Sequence, residues 1–151
     1  DPALAAVQGV YYLMKPQGNP DGVIFVQGAG AGRIFVEGVL PQLQKEKAHV
    51  AVIYVTSREL FELLPQAQQD KLVPPQWKQI ATGITDFTLP TLDAWLHSDQ
   101  GRACALFPHK RGLFLGSGSA AKVYEEAGMD APGQLRAVAE YLALRKHSNW
   151  Q

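Results

Sequence analysis

The amino-acid sequence predicts an α/β fold, a three-layer sandwich with a mainly parallel sheet and room for an antiparallel edge strand. Three observations carry this. Residues 22–27 are a continuous apolar run, the pattern of a strand covered on both faces, and residues 48–55 read as a second buried strand. Between and after such runs lie segments whose apolar residues recur every three or four positions, the spacing of a helix stripe. Strand and helix thus alternate, and parallel strands need such crossovers, which are right-handed as a rule.

Taken in order, Gly9-Val10-Tyr11-Tyr12-Leu13-Met14 is rich in β-formers and stops at a dense turn signal over 15–22, so it reads as an entering strand at an edge. On this reading residues 1–21 form an entering strand and linker, and residues 22–151 form the α/β domain. After strand 22–27 a glycine-rich turn opens a helix carrying Phe35, Val36, Val39, Leu40 and Leu43, which Pro41 should kink or divide. Strand 48–55 runs into Thr56-Ser57-Arg58-Glu59, a capping-box spacing that starts a helix with Leu60, Phe61 and Leu64. Residues 65–75 read as a surface excursion, and residues 79–84 as a third, weaker strand. A helix with Leu92, Trp95 and Leu96 is expected after Pro90, a fourth strand over 103–107 and a short fifth over 113–115. Ser119 should cap a helix bearing Ala120, Val123, Tyr124 and Ala127, with Gly128 as its stop, and residues 134–147 form a last amphipathic helix.

Composition narrows the function. At 151 residues and 16.5 kDa the chain has room for one domain and one core. Hydrophobic residues at 46% and charged residues at 19% describe a soluble globular chain. Fourteen basic residues balance fourteen acidic ones, so no field favours a nucleic acid or an anionic membrane surface, and neither partner is expected. The single cysteine, Cys104, lies in an apolar run and reads as a small buried hydrophobe. The first residues carry neither a basic n-region nor a long apolar h-region, so a cytoplasmic, reducing compartment is expected. An opening without methionine, on Asp1-Pro2, leads to the expectation of a fragment of a longer protein.

Candidate chemistry concentrates at two places. Gly28-Ala29-Gly30-Ala31-Gly32-Arg33 sits between strand and helix, where free backbone N–H groups and the helix dipole favour an anion. Gly28, Gly30, Gly32 and Arg33 are therefore candidate anion-binding residues, with a tight structural turn as the plainer reading. The spacing is not that of a dinucleotide fingerprint, and residues 52–55 offer no acidic ribose ligand. Lys110 and Arg111, in Pro108-His109-Lys110-Arg111, are a second candidate anion contact or simply solvated loop charge. The four histidines are scattered; Asp93 and His97 share helical spacing but lack a third ligand, so no metal site is expected. Gly116-Ser117-Gly118-Ser119 is not a nucleophile elbow. No catalytic residue follows from these patterns.

Three stretches carry a family resemblance: residues 48–60 through Val55-Thr56-Ser57; Ala81-Thr82-Gly83-Ile84-Thr85-Asp86; and residues 115–129, from Leu115-Gly116-Ser117-Gly118-Ser119 to Ala127-Gly128-Met129. From residue 7 onward the chain resembles the C-terminal domain of the transketolase superfamily, the thiamine-diphosphate enzymes that include transketolase and the homodimeric E1 component of pyruvate dehydrogenase. The resemblance implies a parent with three domains, the first holding thiamine diphosphate and Mg²⁺ through a Gly-Asp-Gly motif and the second supplying an activating glutamate. This chain has neither motif, so no cofactor is expected in it, and its partners are the preceding domains of a homodimeric parent. In the E1 relatives the resemblance implies a histidine near the start of the penultimate helix that reaches toward the active site; the matching stretch here, Tyr124-Glu125-Glu126, has no histidine.

The resemblance thus implies a largely architectural domain of an enzyme of two-carbon ketol transfer, inactive as an isolated fragment. Alternatives are an E1-like C-terminal domain, a free-standing small-anion-binding module and a pure interaction domain. A domain without its neighbours should expose apolar surface, and Tyr11, Tyr12 and Leu13 on the entering strand are the expected patch.

Overall fold

The computed structural model of the chain describes residues 2–112, 115–148 and 150. A short helix α1 (Pro2–Ala6) leads into strand β1 (Val10–Met14), then β2 (Gly22–Gln27). Helix α2 (Ala29–Ile34) passes through a π-helical segment (Phe35–Val39) into α3 (Leu40–Lys45) and then β3 (Val50–Val55). Three short helices follow, α4 (Arg58–Glu62), α5 (Gln66–Leu72) and α6 (Pro75–Ile80), before β4 (Ala81–Thr85). A 3₁₀ turn (Leu89–Leu92), α7 (Asp99–Cys104), α8 (Ala120–Glu126) and α9 (Ala131–His147) complete the order.

The four strands form one sheet in the order β1-β3-β2-β4. Strand β2 pairs in parallel with β3 and with β4, and β1 lies antiparallel on β3 at the edge. The side chains of Val23, Ile24, Phe25 and Val26 are all fully buried, because consecutive residues point to opposite faces and both faces are covered. Ile24 and Val26 face Phe35, Val39, Leu43, Val138 and Tyr141 on the layer of α2, α3 and α9. Val23 and Phe25 face Phe61, Trp77, Leu92 and Trp95 on the layer of α4, α6 and the 3₁₀ turn. This is the three-layer sandwich that the alternation of runs and stripes predicts.

Polar side chains tie the layers to the sheet. Tyr141, fully buried on α9, accepts the Val23 N–H at 2.9 Å and donates to the Ile80 carbonyl at 2.5 Å. Buried Gln134 donates its amide to the carbonyls of Ala31 and Met129, joining α9 to α2 and to the end of α8.

Several local expectations are corrected. The first helix is divided at Pro41 as expected, but through a π-helical segment before it that shifts the bonding, with the Leu40 N–H reaching Phe35 O, so that Pro41 falls in the first turn of α3 where its missing N–H costs least. The capping residue of α4 is Ser57, whose Oγ accepts the Leu60 N–H, one position after the predicted Thr56. The supposed excursion over 65–75 contains α5, and the third strand starts at Ala81 because Pro74 and Pro75 launch α6 just before it. The helix expected after Pro90 is only the 3₁₀ turn. Of the fourth strand only Leu106 pairs, in a parallel bridge to Ile84, since Ser98 caps α7 and draws residues 99–104 into helix. The fifth strand, over 113–115, falls largely outside the described residues. Ser119 and Gly128 behave as expected, the first capping α8 and the second taking φ of 70° after it. Among the described residues no helix is long and apolar enough to cross a membrane.

Candidate functional site

Strand β2 feeds β3 on one side and the chain then returns past it to β4 on the other, so the topological switch point lies between the carboxyl ends of β2 and β4. Open α/β sheets place ligands in that crevice. The turn 28–33 stands there, and it is already filled. Asp86, the first residue past β4, donates its own N–H to Gln27 O and sends its carboxylate across the crevice. Its Oδ2 accepts the Gly30 N–H at 2.9 Å, and the Ala31 N–H reaches Oδ1 and Oδ2 at 3.0 and 3.1 Å. The anion at the start of α2 is the chain's own carboxylate.

The glycines have their place in this arrangement. Gly28 takes φ of 100°, and a Cβ there would lie 2.3 Å from Asp86 Oδ2. A Cβ on Gly30 would fall 1.8 Å from the Tyr124 hydroxyl, and one on Gly32 would fall 2.5 Å from the ring of Tyr54. The alternation Gly-x-Gly-x-Gly thus admits three side chains, Asp86, Tyr124 and Tyr54, against one turn. Tyr124, on α8, donates its hydroxyl to Asp86 Oδ1 at 2.8 Å. Burial, then the hydrogen bond and the charge of Asp86, push the Tyr124 phenol up to about 12. Burial raises Tyr54 as well, with Tyr11 and Asp86 adding to it.

The other candidates do not converge on this turn. Arg33 turns along its own helix to Glu37, at 3.0 Å and well exposed. Lys110 donates to Ala103 O at 2.9 Å, and burial lowers its pKa more than Cys104 and Glu140 raise it. Arg111 donates to Glu126 O at 3.3 Å. Asp93 and His97 part company: Asp93 pairs with Arg102, and His97 Nε2 sits 3.1 Å from Ala94 O. Among the described residues no three His, Cys, Asp or Glu side chains gather as metal ligands. Cys104 is half-buried rather than buried, and burial holds its thiol above the usual range, against the weaker pull of Lys110, which disfavours the nucleophilic thiolate.

Asp86 and Tyr124 are the residues that sequence reasoning passed over. The signal was present, an acidic residue one position beyond a parallel strand. Its partner at Gly30 is 56 residues distant, however, and only the strand order brings the two together.

No protein-family model and no curated protein sequence matches the chain. Solved structures do match. Transketolase from Pichia stipitis, in its complex with sedoheptulose-7-phosphate, aligns over 97% of this chain at 15% identity and a TM-score of 0.71. Transketolase from Leishmania mexicana aligns over 93% at 16% identity and 0.65, and that from Campylobacter jejuni over 89% at 18% and 0.64. The chain spans about a fifth of the length of each. Its mixed α/β fold matches that of the transketolase C-terminal domain.

Proposed function

We propose that this chain is the C-terminal, largely architectural domain of a transketolase-like enzyme. The parent would transfer two-carbon ketol units with thiamine diphosphate and Mg²⁺ held by its preceding domains, as a cytoplasmic homodimer, and this chain would be inactive alone. The observation that carries the architectural part is the occupied crevice: the place where an open α/β sheet takes a ligand holds Asp86, clamped by Gly30, Ala31 and Tyr124. The likeness of nearly the whole chain to one fifth of several transketolases supports the rest. In such a parent the cofactor performs the carbon–carbon chemistry, and this domain supplies packing surface.

The test is the activity of the full polypeptide encoded at the locus, set beside this chain. The expected result is ketol transfer from xylulose-5-phosphate to an aldose phosphate by the full polypeptide and none by the chain. Turnover by the chain alone, or a coding region with no diphosphate-binding Gly-Asp-Gly motif upstream, would overturn the reading.

A further inference from the structure

The opposite end of the sheet, where the parallel strands begin, carries a cleft of about 480 Å³. Its walls come from two strand starts and from the end of α9: Asp21 precedes β2, Ala48 and His49 precede β3, and Leu142, Arg145 and Lys146 belong to α9. The Asp21 N–H donates to His49 O at 2.8 Å, which ties the two strand starts together.

Arg145 is held in place there. Its Nε donates to the backbone carbonyl of Asp21 at 3.0 Å, and its guanidinium lies 5.5 Å from the centre of the Trp150 ring. Trp150 is anchored in turn, edge-on to buried Tyr141 at 5.6 Å and hydrogen-bonded to Leu144 O and Ser148 Oγ. Among the described residues neither terminal nitrogen of the guanidinium has a hydrogen-bond partner, and the Lys146 ammonium has none. The ion pairs among those residues are Arg33–Glu37, Arg58–Glu62 and Arg102–Asp93, so Arg145, Lys146 and the Asp21 carboxylate are all unpaired. His49 Nε2 lies 2.7 Å from Gln17 O, and since a carbonyl only accepts, that nitrogen carries the proton. Two cations thus stand against one carboxylate.

Basic residues in the last turn of a helix complement its dipole, and that accounts for Arg145, Lys146 and His147 as residue types. It does not account for an arginine whose Nε and ring face are engaged while its terminal nitrogens stay open beside a cleft. A guanidinium held in this way presents a planar fork that matches two oxygens on one atom, and little rotamer freedom remains to be lost on binding. Half-buried Leu142 and Ala48 add an apolar wall, which suits a carbon skeleton better than a bare ion. Asp21 repels a bare anion and accepts from a hydroxyl or ammonium group.

We propose that this cleft binds a small organic acid, a carboxylate or a phosphate monoester with a hydroxyl or ammonium group beside it. The acid lies on the Arg145 fork and Lys146, the donor on Asp21, and the carbon skeleton against Leu142 and Ala48. The cleft is at the far end of the strands from Asp86 and owes nothing to the likeness to transketolases, so either reading can fail without the other.

The experiment is a ¹H–¹⁵N titration of the 151-residue chain with lactate and propionate, with glycerol 1-phosphate and methyl phosphate, and with glycerol as the neutral control. Saturable shifts are expected at the Arg145 Nε–H and at the amides of residues 21, 49, 145 and 146, and none with glycerol. Tighter binding of lactate assigns a carboxylate, and tighter binding of glycerol 1-phosphate a phosphate monoester. In the tighter series the probe with the hydroxyl should bind better than propionate or methyl phosphate, which lack it. Arg145→Gln should weaken binding about tenfold, the effect of a lost charge-assisted pair. Should Arg145→Gln fail to fold, Lys146→Gln at its exposed position serves instead, with binding several-fold weaker. Arg58→Gln, at the other end of the strands, removes the same charge and should leave binding unchanged. The proposal is overturned if neither acid gives a saturable shift, if the shifts map elsewhere, or if the hydroxyl makes no difference. It is overturned equally if a folded cleft variant binds as tightly as the parent chain, or if Arg58→Gln weakens binding as much as the cleft variant does.

Discussion

Tyr124 donates its hydroxyl to Asp86 at 2.8 Å, and the same carboxylate takes the N–H groups of Gly30 and Ala31. One side chain thereby fastens three elements, the end of β4, the start of α2 and, through Tyr124, α8. Removing it leaves two backbone donors and a phenol unpaired together, and the cost of a buried unsatisfied group is about 1–3 kcal/mol. Asp86→Ala should therefore destabilise the chain by about 2–4 kcal/mol in urea unfolding, by the same reasoning for more than one group. Asp86→Asn, which keeps an acceptor oxygen, should cost less than half as much.

The glycines of the turn should differ sharply from those outside it. Gly30→Ala forces a Cβ to 1.8 Å from the Tyr124 oxygen, so either α8 or the turn must move. Overpacking of this kind costs about 1–3 kcal/mol. Gly118→Ala, whose Cβ would meet only Lys122 at 3.9 Å, should change stability by no more than about 0.5 kcal/mol, as at ordinary surface positions. Equal effects of the two substitutions on the thermal midpoint would contradict the packing described for the turn.

Alkaline pH should weaken the fold through its buried phenols. Burial pushes the phenols of Tyr12 and Tyr124 up from 10.0 to about 12, the second helped by Asp86. The folded state holds these protons more tightly than the unfolded chain. Their stabilisation is therefore complete below the unfolded value and is lost as the pH rises through the folded one. The phenols' share of the fall in the urea midpoint should come between about pH 10 and 12, with Tyr12→Phe flattening it. A fall of the same depth in Tyr12→Phe and the parent chain would contradict this.

Self-association, where it occurs, should run through the first helix and α4 rather than through the tyrosines of β1. Tyr11 packs on Tyr54 with ring centres 5.4 Å apart, and Tyr12 stands edge-on to Trp77 and donates to Leu72 O. The strand also slips register between Tyr12 and Met14, a common guard on an open edge. The large apolar side chains left exposed include Leu4 and Val7 at 67% and 63%, and Leu60 and Leu63 at 43% and 80%. Sedimentation across a concentration series should show less association in Leu4→Lys or Leu63→Lys, and no change in Tyr11→Ser.

The layers were legible in the chain because they rest on local pattern. The short apolar runs at 22–27 and 50–55 have the pattern of strands covered on both faces, and the stripe from Phe35 to Leu43 that of a helix laid against them. Boundaries were less legible where two local signals competed, as at Ser57 against Thr56 for the cap of α4, or Ser98 and the apolar run after it for residues 99–107. The glycine turn was found at the right place, between strand and helix. What filled it was not, because Asp86 reaches Gly30 only through the order of strands in the sheet, and no spacing along the chain encodes that.

The account turns on the statement that Asp86 already occupies the anion cradle at the start of α2. Titration of inorganic phosphate into the ¹⁵N-labelled chain and into Asp86→Ala, following the amides of Gly30 and Ala31, tests it most directly. The account predicts no saturable shift at these two amides in the parent chain and a saturable one in Asp86→Ala, where the two N–H groups are released. Saturable binding of phosphate at Gly30 and Ala31 in the parent chain would contradict it.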